Sequence, residues 1–451
     1  AAEATLSLRG NDLAAARATL EGLLRDPTPD AWRYAFGALG GGARDPKAAA
    51  ILVGQLLDAG VIPNELQTWL AFGGLVQRLG QGDLAERIVG EVIARFPGEP
   101  RVALLRASQL REAGKPDEAR AALVSIENSL QLVPELRLAI AAEYDGLGDS
   151  AAAEAVLARG PQDDQTWRLR AGLLARAENK AGLATLYGAL KQASVQPDPA
   201  RRLLLGQTAE FLERNDEALA WYASVPGGPQ RAQARLRSAK LMHDTKRSDI
   251  AYRDLRQLQS DASVDDEARI GGYLLEAELR NDDDDAAGEL DVYARGLAAY
   301  PDAGELLYAR GLMWERRDDI ARAEADLRRI LVAEPDNIGA LNALGYTLAD
   351  RTTRYAEALE LIDRARVAEP DSAAIIDSYG WVLYRLGRNA DALVELRRAF
   401  ALQKDAEIAA HLGEVLWVSG NKDEARKYFD EARKLDPDSR TLQRALAKTG
   451  A

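Results

Sequence analysis

Cysteine is absent from the 451 residues. This excludes disulfides, zinc–thiolate sites and thiol nucleophiles. It leaves the compartment open, because cysteine-free chains suit both cytosol and periplasm. Histidine is almost absent: His243 and His411 are the only two. They are too far apart to serve one site, and neither has a serine or carboxylate beside it arranged as a triad. Both read as structural or surface residues, so no catalytic residue is assigned, and no metal or cofactor is expected. Lys and Arg form no cluster, and a nucleic-acid binder needs one to displace counterions. No apolar run approaches the roughly 18 residues that span a bilayer. The chain opens AAEATLSLRG, with neither an initiator methionine nor a signal peptide. A leader or anchor upstream of residue 1 is therefore expected.

What is present favours helices. The chain is 47% hydrophobic, leaning on Ala and Leu, and only 6% aromatic. That balance suits helices better than sheets. Its 71 acids outnumber 58 bases, for a net charge of −13. Such acidity favours solubility and basic partners. Two local patterns fall short of sites. Gly114-Lys115 lacks the glycine five residues earlier that a phosphate loop needs, since Gln109 stands there. The run Asn281-Asp282-Asp283-Asp284-Asp285 lacks the glycine and twelfth-position glutamate of a calcium loop. It reads as a turn with a helix cap.

Periodicity organises the chain. Gly345, Gly380 and Gly413 sit in ALGYTL, SYGWVL and HLGEVL, at intervals of 35 and 33. Ala392 and Ala425 follow the last two glycines by 12 residues. Pro301, Pro335, Pro370 and Pro437 keep the same beat, each followed by Asp. A glycine in a helix costs about 1 kcal/mol relative to alanine. It is worth that cost where two helices must approach closely. Proline then ends the second helix, and the Asp after it is expected to cap the next.

A period near 34 with this pattern resembles the tetratricopeptide repeat. One unit runs through Ile408, Leu412, Gly413, Leu416, Ala425, Phe429, Ala432 and Pro437; an early one through Trp69, Gly73, Val76, Gly80, Ala85, Val89, Val92 and Pro97. The resemblance implies an all-α fold, a superhelical α-solenoid of helix–turn–helix repeats. Tracing the beat gives one solenoid over 1–451. Residues 1–27 read as a truncated first repeat, with Gly10 as turn and Pro27 as stop. About twelve repeats fill 30–439, and 440–451 form a C-terminal capping helix. Glycine-rich turns are expected at Gly40-Gly41-Gly42 and Gly227-Gly228.

In that family the residue after the glycine faces the inner, concave surface. Trp381 and Tyr346 hold this place, and Tyr384 and Trp417 lie one turn further on. With Asn342, Asp377, Arg385 and Glu414 they form a candidate peptide-binding groove. The alternative is that these rings pad the contact between successive units. Trp69, Trp167 and Trp314 read as core.

The phrases ALNALGYTLADR, IDSYGWVLYRLGR and AAHLGEVLWVSGNKDEA, within residues 338–437, resemble the outer-membrane lipoprotein adaptors of a periplasmic carboxyl-terminal processing protease. That resemblance implies a non-enzymatic scaffold that binds the serine protease and presents cell-wall (peptidoglycan) hydrolases to it. It implies a periplasmic location, anchored to the outer membrane by lipid upstream of residue 1. A second reading is a peptide-binding module in an envelope export, pilus or polysaccharide assembly machine. A third, an enzyme bearing repeats, has no uncommitted stretch long enough for a catalytic domain.

Overall fold

A computed structural model describes residues 2–9, 12–26, 31–42, 46–80, 82–127, 133–194 and 196–451. Among these residues there are helices and turns and no strand. The chain divides into two compact units, Ala1–Trp221 and Tyr222–Ala451. Gly10 and Pro27, expected as the turn and stop of the first repeat, lie outside the described residues.

The first unit holds paired helices, α1 (Ala2–Arg9) with α2 (Leu13–Arg25), α5 (Leu66–Arg78) with α6 (Gly82–Arg95), and α7 (Pro100–Glu112) with α8 (Pro116–Glu127), and between the first two pairs α3 (Trp32–Gly42) and α4 (Pro46–Asp58). It continues through α9 (Pro134–Gly146), α10 (Ser150–Ala158), α11 (Asp164–Arg176), α12 (Lys180–Ala193), α13 (Pro199–Phe211) and the start of α14 (Asn215–Ser224). The second unit holds α15 (Pro229–Asp244), α16 (Ser248–Gln259), α17 (Asp266–Asp282), α18 (Ala286–Ala299), α19 (Gly304–Arg316), α20 (Ile320–Ala333), α21 (Ile338–Arg351) and α22 (Tyr355–Ala368). It ends with α23 (Ala373–Arg385), α24 (Asn389–Leu402), α25 (Ala406–Val418), α26 (Lys422–Leu435) and the single helix α27 (Arg440–Thr449). Within each unit the pairs stack as an α-solenoid. Gly40-Gly41-Gly42 is not the turn expected from sequence but the last turn of α3. Intrahelical bonding carried in from the stronger formers ahead of it outweighs the glycine cost.

The repeating glycines earn close approach. A Cβ on Gly380 would lie 2.8 Å from Leu396 Cγ and 3.3 Å from the carbonyl oxygen of Ala392, both on α24. On Gly345 it would meet Ile362 Cγ1 at 2.5 Å, and on Gly413 the Phe429 ring at 2.5 Å. Ala392, Leu396, Ala399, Ala425, Phe429 and Ala432 are buried opposite them. Trp69 and Trp167 are buried in the first unit and Trp314 in the second.

The Pro-Asp joints are built differently from the expectation. Each proline occupies the second position of a β-turn, closed by Ala303 N to Tyr300 O, Asn337 N to Glu334 O, Ser372 N to Glu369 O, and Ser439 N to Asp436 O. The Asp takes the third position, so the helix cap falls one residue later. Asn337 accepts from Ala340 N, and Ser439 from Leu442 N. The displaced Asp finds an arginine on the second helix of the pair it precedes. Arg329 reaches Asp302 at 2.9 Å, Arg364 reaches Asp336 at 3.0 Å, and Arg398 reaches Asp371 at 2.8 Å. Arg364 and Arg398 also donate to the carbonyls of Pro335 and Pro370.

The acidic run at 281–285 is spent within the second unit. Asp285 caps α18 through Gly288 N, Asp284 takes the left-handed turn position at φ 56°, and Asp283 accepts from the Tyr252 hydroxyl at 2.6 Å. Among the described residues no helix is long and apolar enough to cross a membrane.

Candidate functional site

The first helices of neighbouring pairs touch one another along α5–α7–α9 and along α21–α23–α25–α27, whereas their second helices barely meet. Pairs that touch on one side and splay on the other curve toward the touching side. The first helices therefore line the inner face within each unit.

On the inner face of the second unit, side chains bridge several repeats. The Tyr346 hydroxyl on α21 donates to Glu407 Oε1 at 2.8 Å and lies 3.2 Å from His411 Nε2, both on α25. His411 Nδ1 is 2.9 and 3.1 Å from the two carboxylate oxygens of Asp377 on α23. The sequence reading gave neither histidine a carboxylate partner. The fold supplies one to each, with His243 Nε2 lying 3.1 Å from Asp283. Burial alone would lower the His411 imidazole. The adjacent Asp377 carboxylate overrides it and pushes the imidazole up to about 9. Burial also pushes the Asp377 carboxyl up, against the pull of His411. The two-oxygen contact favours the ionised pair. Tyr346 is held well above its ordinary range, first by burial and then by Glu407.

This line of hydroxyl, imidazole and carboxylate is closed. His411 is 1% exposed, both its nitrogens are occupied, and the Trp381 indole stacks on it at 4.0 Å and 24°. Trp381 is itself 4% exposed, and Tyr384 leans on it at 5.1 Å. Trp381 thus packs between α23 and α25.

The remaining candidates are engaged too. Tyr384 donates to Glu414 Oε1 at 2.9 Å, and Lys448 on α27 reaches the same oxygen at 2.6 Å. Arg385 donates to the Asp350 carbonyl at 2.8 Å and the Tyr355 hydroxyl at 3.0 Å. Trp417 lies beneath Lys422 and Arg426, at 4.9 and 5.3 Å. Asn342, Tyr346 and Asp377 come together in one cavity of about 330 Å³, which Trp381, Tyr384, Arg385, Glu414 and Trp417 do not line. Its other walls include Tyr308, Leu312, Asp405 and Glu407, none of which was selected from sequence. A signal for the Asp377–His411 pair was present: 34 residues, about one repeat, set them on facing turns of neighbouring first helices.

The first unit carries a larger concavity, about 650 Å³, across α5, α7 and α9. Leu70, Leu104, Leu105, Leu136 and Ala139 form an apolar floor, and Glu99, Glu135 and Glu143 stand around it. These leucines are half-buried. Arg111 holds Glu143 at 2.9 Å.

Paired helices closed by Gly–Ala contacts and curved toward their first helices define a repeat scaffold of the protein-docking kind. The tetratricopeptide repeat family model matches residues 378–440. Over 210 residues the chain is 41% identical to the TPR repeat-containing protein PA4667 of Pseudomonas aeruginosa. The match takes in 47% of this chain and 35% of that protein, so the chain spans about a third of the relative's length. Among solved structures, yeast Tom70 covers 96% of this chain and is itself covered to 96%, at 12% identity and a TM-score of 0.45. A tetratricopeptide repeat protein from Parabacteroides merdae covers 56%, with 99% of its own chain, at 16% identity and a TM-score of 0.44.

Proposed function

We propose that this chain is a non-enzymatic adaptor that grips other proteins on its inner faces. In the reading its C-terminal phrases imply, one partner is a periplasmic carboxyl-terminal processing serine protease, and the others are basic cell-wall hydrolases presented to it. An outer-membrane lipid anchor upstream of residue 1 belongs to the same reading. The observation that carries the docking role is the open leucine floor across α5, α7 and α9. A contiguous apolar patch rimmed by polar groups is the kind of surface a protein partner covers. The net charge of −13 supports basic clients. A scaffold holding enzyme and substrate together raises their effective concentration without any chemistry of its own.

The test is a pull-down from the bacterial envelope with the full-length, anchored protein. Recovery of a serine protease with a substrate-binding accessory domain supports the adaptor. Recovery of secretion, pilus or polysaccharide-synthase subunits supports the rival instead. Client binding is then titrated from low to high salt, and an affinity that ignores salt argues against electrostatic recruitment.

A further inference from the structure

The cavity between α19, α21, α23 and the start of α25 has a composition that selects its occupant. Tyr308, Leu312, Tyr346 and Ile408 supply aromatic and aliphatic walls. The charged groups lining it, Glu315, Asp377, Asp405 and Glu407, are all acids. Two of these are balanced by the chain itself: Glu315 pairs with Arg351 at 2.6 Å, and Asp377 with His411. Asp405 and Glu407 form no ion pair among the described residues, although Glu407 lies near enough to His411 to favour its cationic form. Asp405 caps α25 through Glu407 N and Ile408 N, and Glu407 accepts only from the hydroxyls of Tyr346 and Thr441. The neighbouring Lys404 turns its ammonium onto the Phe400 ring instead, at 3.9 Å.

We infer that this cavity receives the guanidinium of an arginine presented by an extended peptide segment. An arginine has an apolar stem for the tyrosine and leucine walls and a cationic tip for the two carboxylates outside any ion pair. Its planar fork of donors can serve one carboxylate through two parallel bonds, and it stacks on tyrosine rings. Lysine, a compact and strongly hydrated point charge, does this less well. The inference rests on the docking role proposed above and names one determinant of its partners.

The test uses the whole chain and the capped peptide acetyl-Gly-Ala-Arg-Ala-Gly-amide, with versions carrying lysine or citrulline in place of arginine. Citrulline keeps the shape and removes the charge. Binding is followed by calorimetry. The arginine peptide is expected to bind at least about tenfold more tightly than the citrulline peptide, a difference of about 1.4 kcal/mol, with the lysine peptide between. Glu407→Gln should remove most of that preference while circular dichroism stays unchanged. Equal binding of arginine and citrulline peptides overturns the inference, as does a preference that survives Glu407→Gln. So does free arginine amide binding as tightly as the peptide, since the segment would then contribute nothing. Loss of the arginine preference with envelope partners still captured sinks this inference alone. An intact preference with no protein captured sinks the adaptor reading instead.

Discussion

The imidazole of His411 lies nearly parallel to the indole of Trp381, their centres 4.0 Å apart, with Asp377 at one edge of the imidazole and Tyr346 at the other. Three first helices are tied by these four side chains. The tie decides what the central part of the second unit can tolerate.

Trp381→Ala is expected to be a stability mutation before it is a binding mutation. The residue is buried against His411 and Tyr384, and emptying such a site costs about 3–5 kcal/mol. Urea unfolding followed by circular dichroism checks this. An unchanged midpoint would show that the indole packs less than its burial implies.

Alkaline pH should loosen the same region. The folded-state His411 value of about 9 exceeds the ordinary 6.5, so its stabilisation is fully present below pH 6.5 and fades as pH rises through 9. By linkage the loss is on the order of 1–3 kcal/mol. Of the groups facing the ring, Asp377, Glu407 and, further off, Asp350 favour its cationic form, and the Tyr346 hydroxyl lies 3.2 Å from its Nε2. The thermal midpoint, measured from pH 6 to 10 against His411→Gln, should fall for the parent and stay nearly flat for the variant in this window.

Two glycine-to-alanine changes should move stability in opposite directions. At Gly345 the new methyl would sit 2.5 Å from Ile362 and 3.1 Å from the Ala358 carbonyl oxygen. That overpacking costs about 1–3 kcal/mol. At Gly188 in α12 nothing lies within 4 Å of the new methyl. Gly188→Ala should therefore stabilise by roughly 0.5–1 kcal/mol through helix propensity alone. Paired denaturation curves read both signs.

In the first unit, Leu104→Glu and Leu136→Glu should weaken partner capture while shifting the thermal midpoint by only a few degrees, since both leucines are partly exposed. Trp69→Ala, which empties a buried site, should instead lower the midpoint strongly. Capture that is indifferent to both leucine changes removes the first-unit floor as the docking surface.

The helical pairs were legible because close approach demands small residues, and small residues at fixed intervals survive in one dimension. Gly380 against Ala392 is such a case. The Pro-Asp caps were misplaced because a β-turn, which needs proline second and leaves Asp third, competes with capping and wins. The inner face was harder to read. Trp381 holds the same place in the motif as Tyr346, yet one ring is sealed and the other borders a cavity. The difference comes from a histidine one repeat later and from how tightly neighbouring first helices close. Lys448 on α27 reaching Glu414 is likewise a product of stacking that no local pattern announces.

The arginine–aspartate clips at 302–329, 336–364 and 371–398 each open and close inside a single pair of helices. Whole units can thus be duplicated or deleted during the evolution of such an array, and every surviving clip stays shut. A one-residue insertion inside a Pro-Asp joint has no such protection: it shifts the aspartate away from its arginine and leaves both to water.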